Sequence, residues 1–205
     1  MVKSGFKFIV LILINFNLMG QDSNSMNTPK GLSVGDHVPM IEAVNQNGDL
    51  FSLSTALYNG PVVIIFYRGE WCPYCNKHLS DLQEGLESIY QRGASVVAIS
   101  PEKMEYQNKT LQKTHAEFTL LYDEGYTIAE SFDVNFNPSV MNKVVYNLFL
   151  GANLKNAHSE ESQNLPIPAT YIIDTNGKVA WRHFDPNYKN RSTISEIVKE
   201  LDAIR

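Results

Sequence analysis

The run Pro61-Val62-Val63-Ile64-Ile65-Phe66-Tyr67, closed by Arg68-Gly69 and followed by Cys72-Pro73-Tyr74-Cys75, constrains the fold more than any other part of this chain. A continuous, largely β-branched run suits a strand covered on both faces, because a half-exposed strand alternates apolar with polar residues. Past Cys72-Pro73 the period changes. Leu79, Leu82, Leu86 and Ile89 recur at spacings of three and four between Tyr74 and Arg92, which predicts one apolar helical stripe with the cysteines at its start. A second buried strand, Ala94 to Ser100, follows, and the order strand, helix, strand calls for a right-handed parallel crossover.

The remaining segments extend the same alternation. Asn47-Gly48-Asp49 makes a turn between short extended pieces, Glu102 to Phe118 reads as helix, Leu120 to Asp123 as a short strand and Thr127 to Phe132 as helix. Residues 135–165 carry Pro138, Gly151 and several Asn and Ser among apolar pieces, and read as a loop-rich excursion placed to cover the active-site face. Ala169 to Asp174, the turn Thr175-Asn176-Gly177-Lys178, and Val179 to His183 read as two antiparallel strands. A last helix from Thr193 to Ile204 has Ile194, Ile197, Val198 and Leu201 on one face and Ser192 or Thr193 as its cap. The expected class is α/β: a central mixed sheet flanked by helices, with the cysteine pair at a helix N-terminus.

At 205 residues the chain is sized for one globular domain once any targeting segment is set aside. Lys3 and Lys7 precede or flank the apolar run Phe8 to Ile14, which has the length of a signal-peptide core and is too short to span a bilayer. Residues 1–20 are therefore expected to be a signal peptide, residues 21–31 a flexible polar leader, and residues 32–205 the domain. An uncleaved anchor is the alternative. Export implies a periplasmic or secreted bacterial protein with no lasting membrane association after cleavage. The formal charge of −5, without any clustered Lys and Arg, argues against a nucleic-acid surface.

The two cysteines stand at i and i+3, a spacing that lets them close a disulfide at a first helical turn. Unsatisfied N–H groups and the helix dipole favour a thiolate there, and the thiolate is the reactive form. Arg68 is placed to lower a cysteine pKa further, or else it is a surface cation. A structural disulfide, a zinc half-site and chance pairing in a core compete with redox catalysis. The zinc reading lacks ligands, since His37, His78, His115, His158 and His183 show no ligand spacing, and no metal or cofactor is expected. Arg182 and Arg191 either approach the site or are solvated charges, and the second reading is preferred because an Arg after a turn is more often solvated.

The segment Phe66 to Asn76 and the later Leu165-Pro166-Ile167-Pro168-Ala169-Thr170-Tyr171-Ile172-Ile173-Asp174 resemble peroxiredoxin-like proteins of the alkyl hydroperoxide reductase and thiol-specific antioxidant group, over about Gly35 to Leu201. The resemblance implies a thioredoxin-like fold and a thiol-dependent peroxidase. Hydrogen peroxide or an organic hydroperoxide would convert one cysteine to a sulfenic acid, a Cys72–Cys75 disulfide would form, and a thioredoxin-like dithiol would recycle it. Pro168 matches the cis-proline that faces the cysteines in thioredoxin-fold proteins. Arg68 would polarise the peroxide or hold the thiolate, while Trp71 and Tyr74 would shape the substrate mouth or simply pack. In the register of typical peroxiredoxins Arg68 stands at their Pro, Cys72 at their Thr or Ser, and Cys75 at the peroxidatic cysteine. In the register of thioredoxins and glutaredoxins Cys72 attacks and Cys75 resolves. An exported thiol–disulfide oxidoreductase acting on protein cysteines, or a redox-sensing module without catalysis, would need the same pair.

Overall fold

The run that reads as a strand buried on both faces is one, and its two sides supply two cores. The computed structural model describes residues 28–204. Its elements in chain order are β1 (Glu42–Val44), β2 (Leu50–Ser52), α1 (Leu53–Asn59), β3 (Val62–Phe66), α2 (Pro73–Glu84), α3 (Leu86–Tyr90), β4 (Ser95–Ser100), α4 (Met104–Thr114), β5 (Thr119–Tyr122), α5 (Thr127–Ser131), β6 (Asn135–Phe136), α6 (Val140–Phe149), α7 (Leu154–Ala157), β7 (Leu165–Pro166), β8 (Ala169–Ile173), β9 (Val179–Phe184) and α8 (Ile194–Ala203). A five-stranded sheet in the order β5-β4-β3-β8-β9 carries the fold. The β3, β4 and β5 strands run parallel, while β8 is antiparallel to β3 and β9 to β8.

Side chains alternate across the sheet as a pleat requires. Val63 and Ile65 join Leu79, Leu82, Ile89, Ile197 and both cysteines on one face. Val62, Ile64 and Phe66 join Ile41, Leu53, Ile128 and Phe132 on the other. Helices thus cover both faces, which is why the β3 run contains no polar residue.

The helix stripe that spacing alone makes continuous is divided in two. Gly85 caps α2, and a Cβ there would lie 2.5 Å from Ile194 of α8, so the break lets α8 settle close against the turn. The excursion over residues 135–165 holds more structure than its composition suggests: β6 pairs with β7, and Ser139 caps α6 by accepting from Asn142 N–H. Thr193 caps α8 in a reciprocal capping box with Glu196.

The expected signal peptide and most of the polar leader lie outside the described residues. The end of that leader is tied into the domain. Gly31 N–H donates to the Asp133 carbonyl at 2.9 Å, and the Arg182 guanidinium donates to the carbonyls of Lys30, Gly31 and Leu32 at 2.7–3.0 Å.

The Ile167–Pro168 bond is trans, as are all described peptide bonds, so the expectation of a cis-proline is corrected. Local pairing accounts for it. Ile167 N–H donates to Val134 O at 2.7 Å, and Leu165–Pro166 pair with Asn135–Phe136, so the chain enters β8 already extended. With nothing to reverse it, the trans preference of about 0.5–1 kcal/mol holds.

Candidate active site

The end of β3 and the start of α2 are joined by a loop that the sequence forces to be tight. Gly69 sits at φ +150°, and a Cβ on it would collide with the Glu102 carboxyl and the Trp71 indole. Cys72 is the N-cap of α2: it remains extended, Pro73 opens the first turn, and the N–H groups of Cys75 and Asn76 both donate to the Cys72 carbonyl at 3.0 Å. Both cysteines are free thiols and both are buried, Cys72 at 0 % and Cys75 at 1 % exposure.

Arg68 is no surface cation; it is 3 % exposed. Its Nη2 donates to Cys72 Sγ at 3.4 Å and its Nη1 to Tyr146 Oη at 3.3 Å. The guanidinium lies 4.0 Å from the Tyr188 ring centroid, 5.1 Å from Trp71 and 5.3 Å from Tyr146. Aromatic faces tolerate a cation that has lost its water, and the low-polarity box strengthens its pull on the sulfur. Trp71 packs on Tyr146 at 4.9 Å, so α6 closes the box from above, as the sequence reading of this excursion anticipated.

The two thiols are driven apart in acidity. The Cys75 thiol donates to Cys72, and Arg68 adds its charge and hydrogen bond; against the opposing effect of burial these hold Cys72 down to about 5. Burial, the hydrogen bond to Cys72 and the Cys72 charge hold Cys75 well above the ordinary thiol range. The pair therefore stores one negative charge, and it rests on Cys72.

Below the loop lies a buried carboxyl, Glu102, pushed up to about 8 chiefly by burial. One of its oxygens accepts the Glu70 N–H at 2.8 Å, which fixes the loop from beneath. Glu70 in turn pairs with Lys113, and its carbonyl accepts from Asn76 at 2.7 Å.

The anticipated site residues divide. Arg68, Cys72, Cys75 and Trp71 converge. Tyr74 is 42 % exposed and meets Tyr188 edge-on at 5.6 Å, outside the Arg68 box. It borders a cleft of about 270 Å³ with His78, Lys189, Arg191 and Thr193. Pro168 is buried just before β8, beside Thr170, whose hydroxyl bonds Ser192 at 2.7 Å. Sequence reasoning missed Tyr146, Tyr188 and Glu102, and it set aside Arg191, whose Nη2 reaches Cys75 Sγ at 3.8 Å. Tyr146 and Arg191 reach the site across 78 and 116 residues, so no local pattern pointed to them.

A βαβ sheet with an acidic thiol at a helix N-cap and its dithiol partner one turn on defines a thioredoxin-fold thiol protein. Residues 34–182 match the AhpC/TSA family, and the chain belongs to it. It is 30 % identical over 104 residues to peroxiredoxin Bcp of Bacillus subtilis (strain 168), covering 50 % of this chain and 65 % of that protein. It is 28 % identical over 172 residues to the chloroplastic peroxiredoxin Q of Sedum lineare, covering 83 % and 78 %. Among solved structures, peroxidoxin BcpB of Mycobacterium tuberculosis superposes with a TM-score of 0.66 at 24 % identity, covering 85 % of this chain and 99 % of that one. A peroxiredoxin-like protein of Aquifex aeolicus gives 0.66 at 19 %, covering 87 % and 91 %. Both likenesses bear on the fold.

Proposed function

We propose that this chain is a thiol-dependent peroxidase that reduces hydrogen peroxide or organic hydroperoxides, with Cys72 as the attacking thiolate and Cys75 as the resolving thiol. The observation that carries the reading is the Cys72 sulfur held by the Arg68 guanidinium in a closed aromatic box. A thiolate stabilised at neutral pH attacks the O–O bond, and the same guanidinium stabilises charge developing on the departing oxygen. Full burial of Cys72 favours a small peroxide over a protein cystine, because disulfide exchange needs a protein sulfur in line with the attacking one. This order of roles follows the thioredoxin register of the motif and not the register of typical peroxiredoxins.

The relatives named as peroxiredoxins support the activity. A thioredoxin-like dithiol is the proposed reductant, reaching the disulfide once the aromatic box opens. The charged, apolar start of the chain supports export to the periplasm or beyond, and mass spectrometry of the mature N-terminus tests it: a protein that still begins at Met1 overturns cleavage.

The activity is tested by mixing reduced protein with stoichiometric peroxide in a stopped-flow instrument and following free thiols. The expected result is rapid loss of both thiols in wild type, no fast loss in Cys72→Ser, and a sulfenic acid on Cys72 captured by a dimedone-type probe in Cys75→Ser. Wild-type thiols that react no faster than free cysteine overturn the reading.

A further inference from the structure

Resolution of a sulfenic acid on Cys72 needs Cys75 as a second nucleophile, yet the resting site keeps Cys75 protonated. It is buried at 1 % exposure, and the neighbouring Cys72 charge opposes its ionisation. A protonated thiol is a poor nucleophile. Of the two guanidiniums that reach the dithiol among the described residues, Arg68 is committed to Cys72. The second is Arg191, whose Nη2 points at Cys75 Sγ from 3.8 Å across 116 residues of chain.

The loop that carries Arg191 is held in place by its own contacts. Asp185 accepts from Asn187 N–H at 2.8 Å and from the Asn190 side chain at 2.6 Å. The next residue, Ser192, is buried, and its hydroxyl bonds Thr170 at 2.7 Å and His78 Nε2 at 3.3 Å. Arg191 has no ion pair with a carboxylate among the described residues; its other hydrogen bond is to the Asn190 carbonyl at 3.4 Å. A half-buried cation in that position is costly unless a negative charge comes to it.

We propose that Arg191 is a further catalytic residue, which stabilises the Cys75 thiolate during disulfide formation. The inference rests on the peroxidase reading for its place in the cycle. In the first step the Cys72 thiolate forms an S–O bond and the O–O bond breaks. The sulfur is oxidised by two electrons, the peroxide is reduced, and the departing alkoxide or hydroxide takes up a proton from water. The Cys72 charge is now gone, and with it the repulsion that kept Cys75 protonated. Both guanidiniums then face Cys75, and its proton is released. In the second step Cys75 S⁻ attacks the Cys72 sulfur, an S–S bond forms, the S–OH bond breaks, and the leaving hydroxide combines with the released proton as water. Arg68 thus serves the first sulfur and Arg191 the second.

The groups that bear on Cys75 are Cys72 at the N-cap of α2, Tyr67 and Arg68 just past β3, and Arg191 before α8. Burial and the Arg191 charge hold His78 down to about 4, so it stays neutral and does not compete for the role.

The test reads Cys75 directly. In a Cys72→Ser background, thiolate ultraviolet absorbance against pH gives the Cys75 midpoint. Arg191→Met should raise that midpoint by about one unit or more, and Arg191→Lys should recover much of the shift. An unchanged midpoint overturns the proposal whether or not the chain consumes peroxide. In the otherwise native dithiol protein, Arg191→Met should lower the ratio of disulfide-forming to thiol-oxidising rate about tenfold, with sulfenic acid accumulating on Cys72. A ratio equal to that of wild type also overturns it, whereas slow oxidation in wild type itself counts against the peroxidase reading.

Discussion

Cys72 and Cys75 are chemically identical and three residues apart, and the structure separates them by what each sulfur faces. Cys72 accepts hydrogen bonds from both Arg68 and Cys75, so its charge is stabilised; Cys75 donates, so its proton is kept. Replacing Arg68 with Met removes one hydrogen bond and the nearest charge. The expected outcome is a Cys72 thiolate midpoint that rises from about 5 toward the ordinary thiol range, read by thiolate absorbance, with slower peroxide consumption at neutral pH. A midpoint that stays near 5 would assign the acidity to the Cys75 hydrogen bond and the helix N-terminus alone. At this scale the sequence placed Arg68 near the cysteines because it lies in the same loop. It gave no reason to prefer a site role for Arg191 over a solvated charge, because an arginine 116 residues away carries no local sign of its target.

The elements show where periodicity is a good guide and where it is not. Strands β3 and β4 and helices α2 and α8 were legible because each buries a regular face. Helix α6 was not: Val140, Met141, Leu148 and Phe149 are exposed, so its apolar residues do not trace a core stripe, and its site contribution is the one half-buried Tyr146. The division of the α2–α3 stripe escaped notice because Gly85 falls between apolar positions without disturbing their spacing. Gly85→Ala should lower stability by about 1–3 kcal/mol, since the added methyl meets Ile194 and must displace α8. Ile194→Ala in the same chain should remove most of that penalty, so urea denaturation of the two single variants and the double variant should show strong coupling; additive effects would refute the contact.

For the whole molecule the buried carboxyls set a pH dependence. Burial raises Glu102 to about 8 and Asp123 to about 6, so folding favours their protonated forms. Their contribution is fully present below the unfolded carboxyl range near pH 4 and is lost as pH rises, through about 6 for Asp123 and about 8 for Glu102. Glu102→Gln keeps an acceptor for the Glu70 N–H and cannot ionise. Its stability relative to wild type should therefore improve between pH 5 and pH 9 by on the order of a few kcal/mol, measured by urea midpoints across that range. A difference that stays constant with pH would show that Glu102 does not titrate within the fold.

The local pattern of this chain was enough to determine the two-sided sheet, the helix that presents the cysteines, the family and the class of chemistry. Each of these depends on residues close together in sequence: an unbroken apolar run, a change of period, a four-residue motif. Tertiary structure alone decided which thiol is charged, which side chains close over it, that Pro168 follows a trans bond, and that a second arginine faces Cys75. Those outcomes depend on burial, on side-chain geometry and, for Tyr146 and Arg191, on contacts across 78 and 116 residues, where desolvation and charge add up in a space that no local pattern describes.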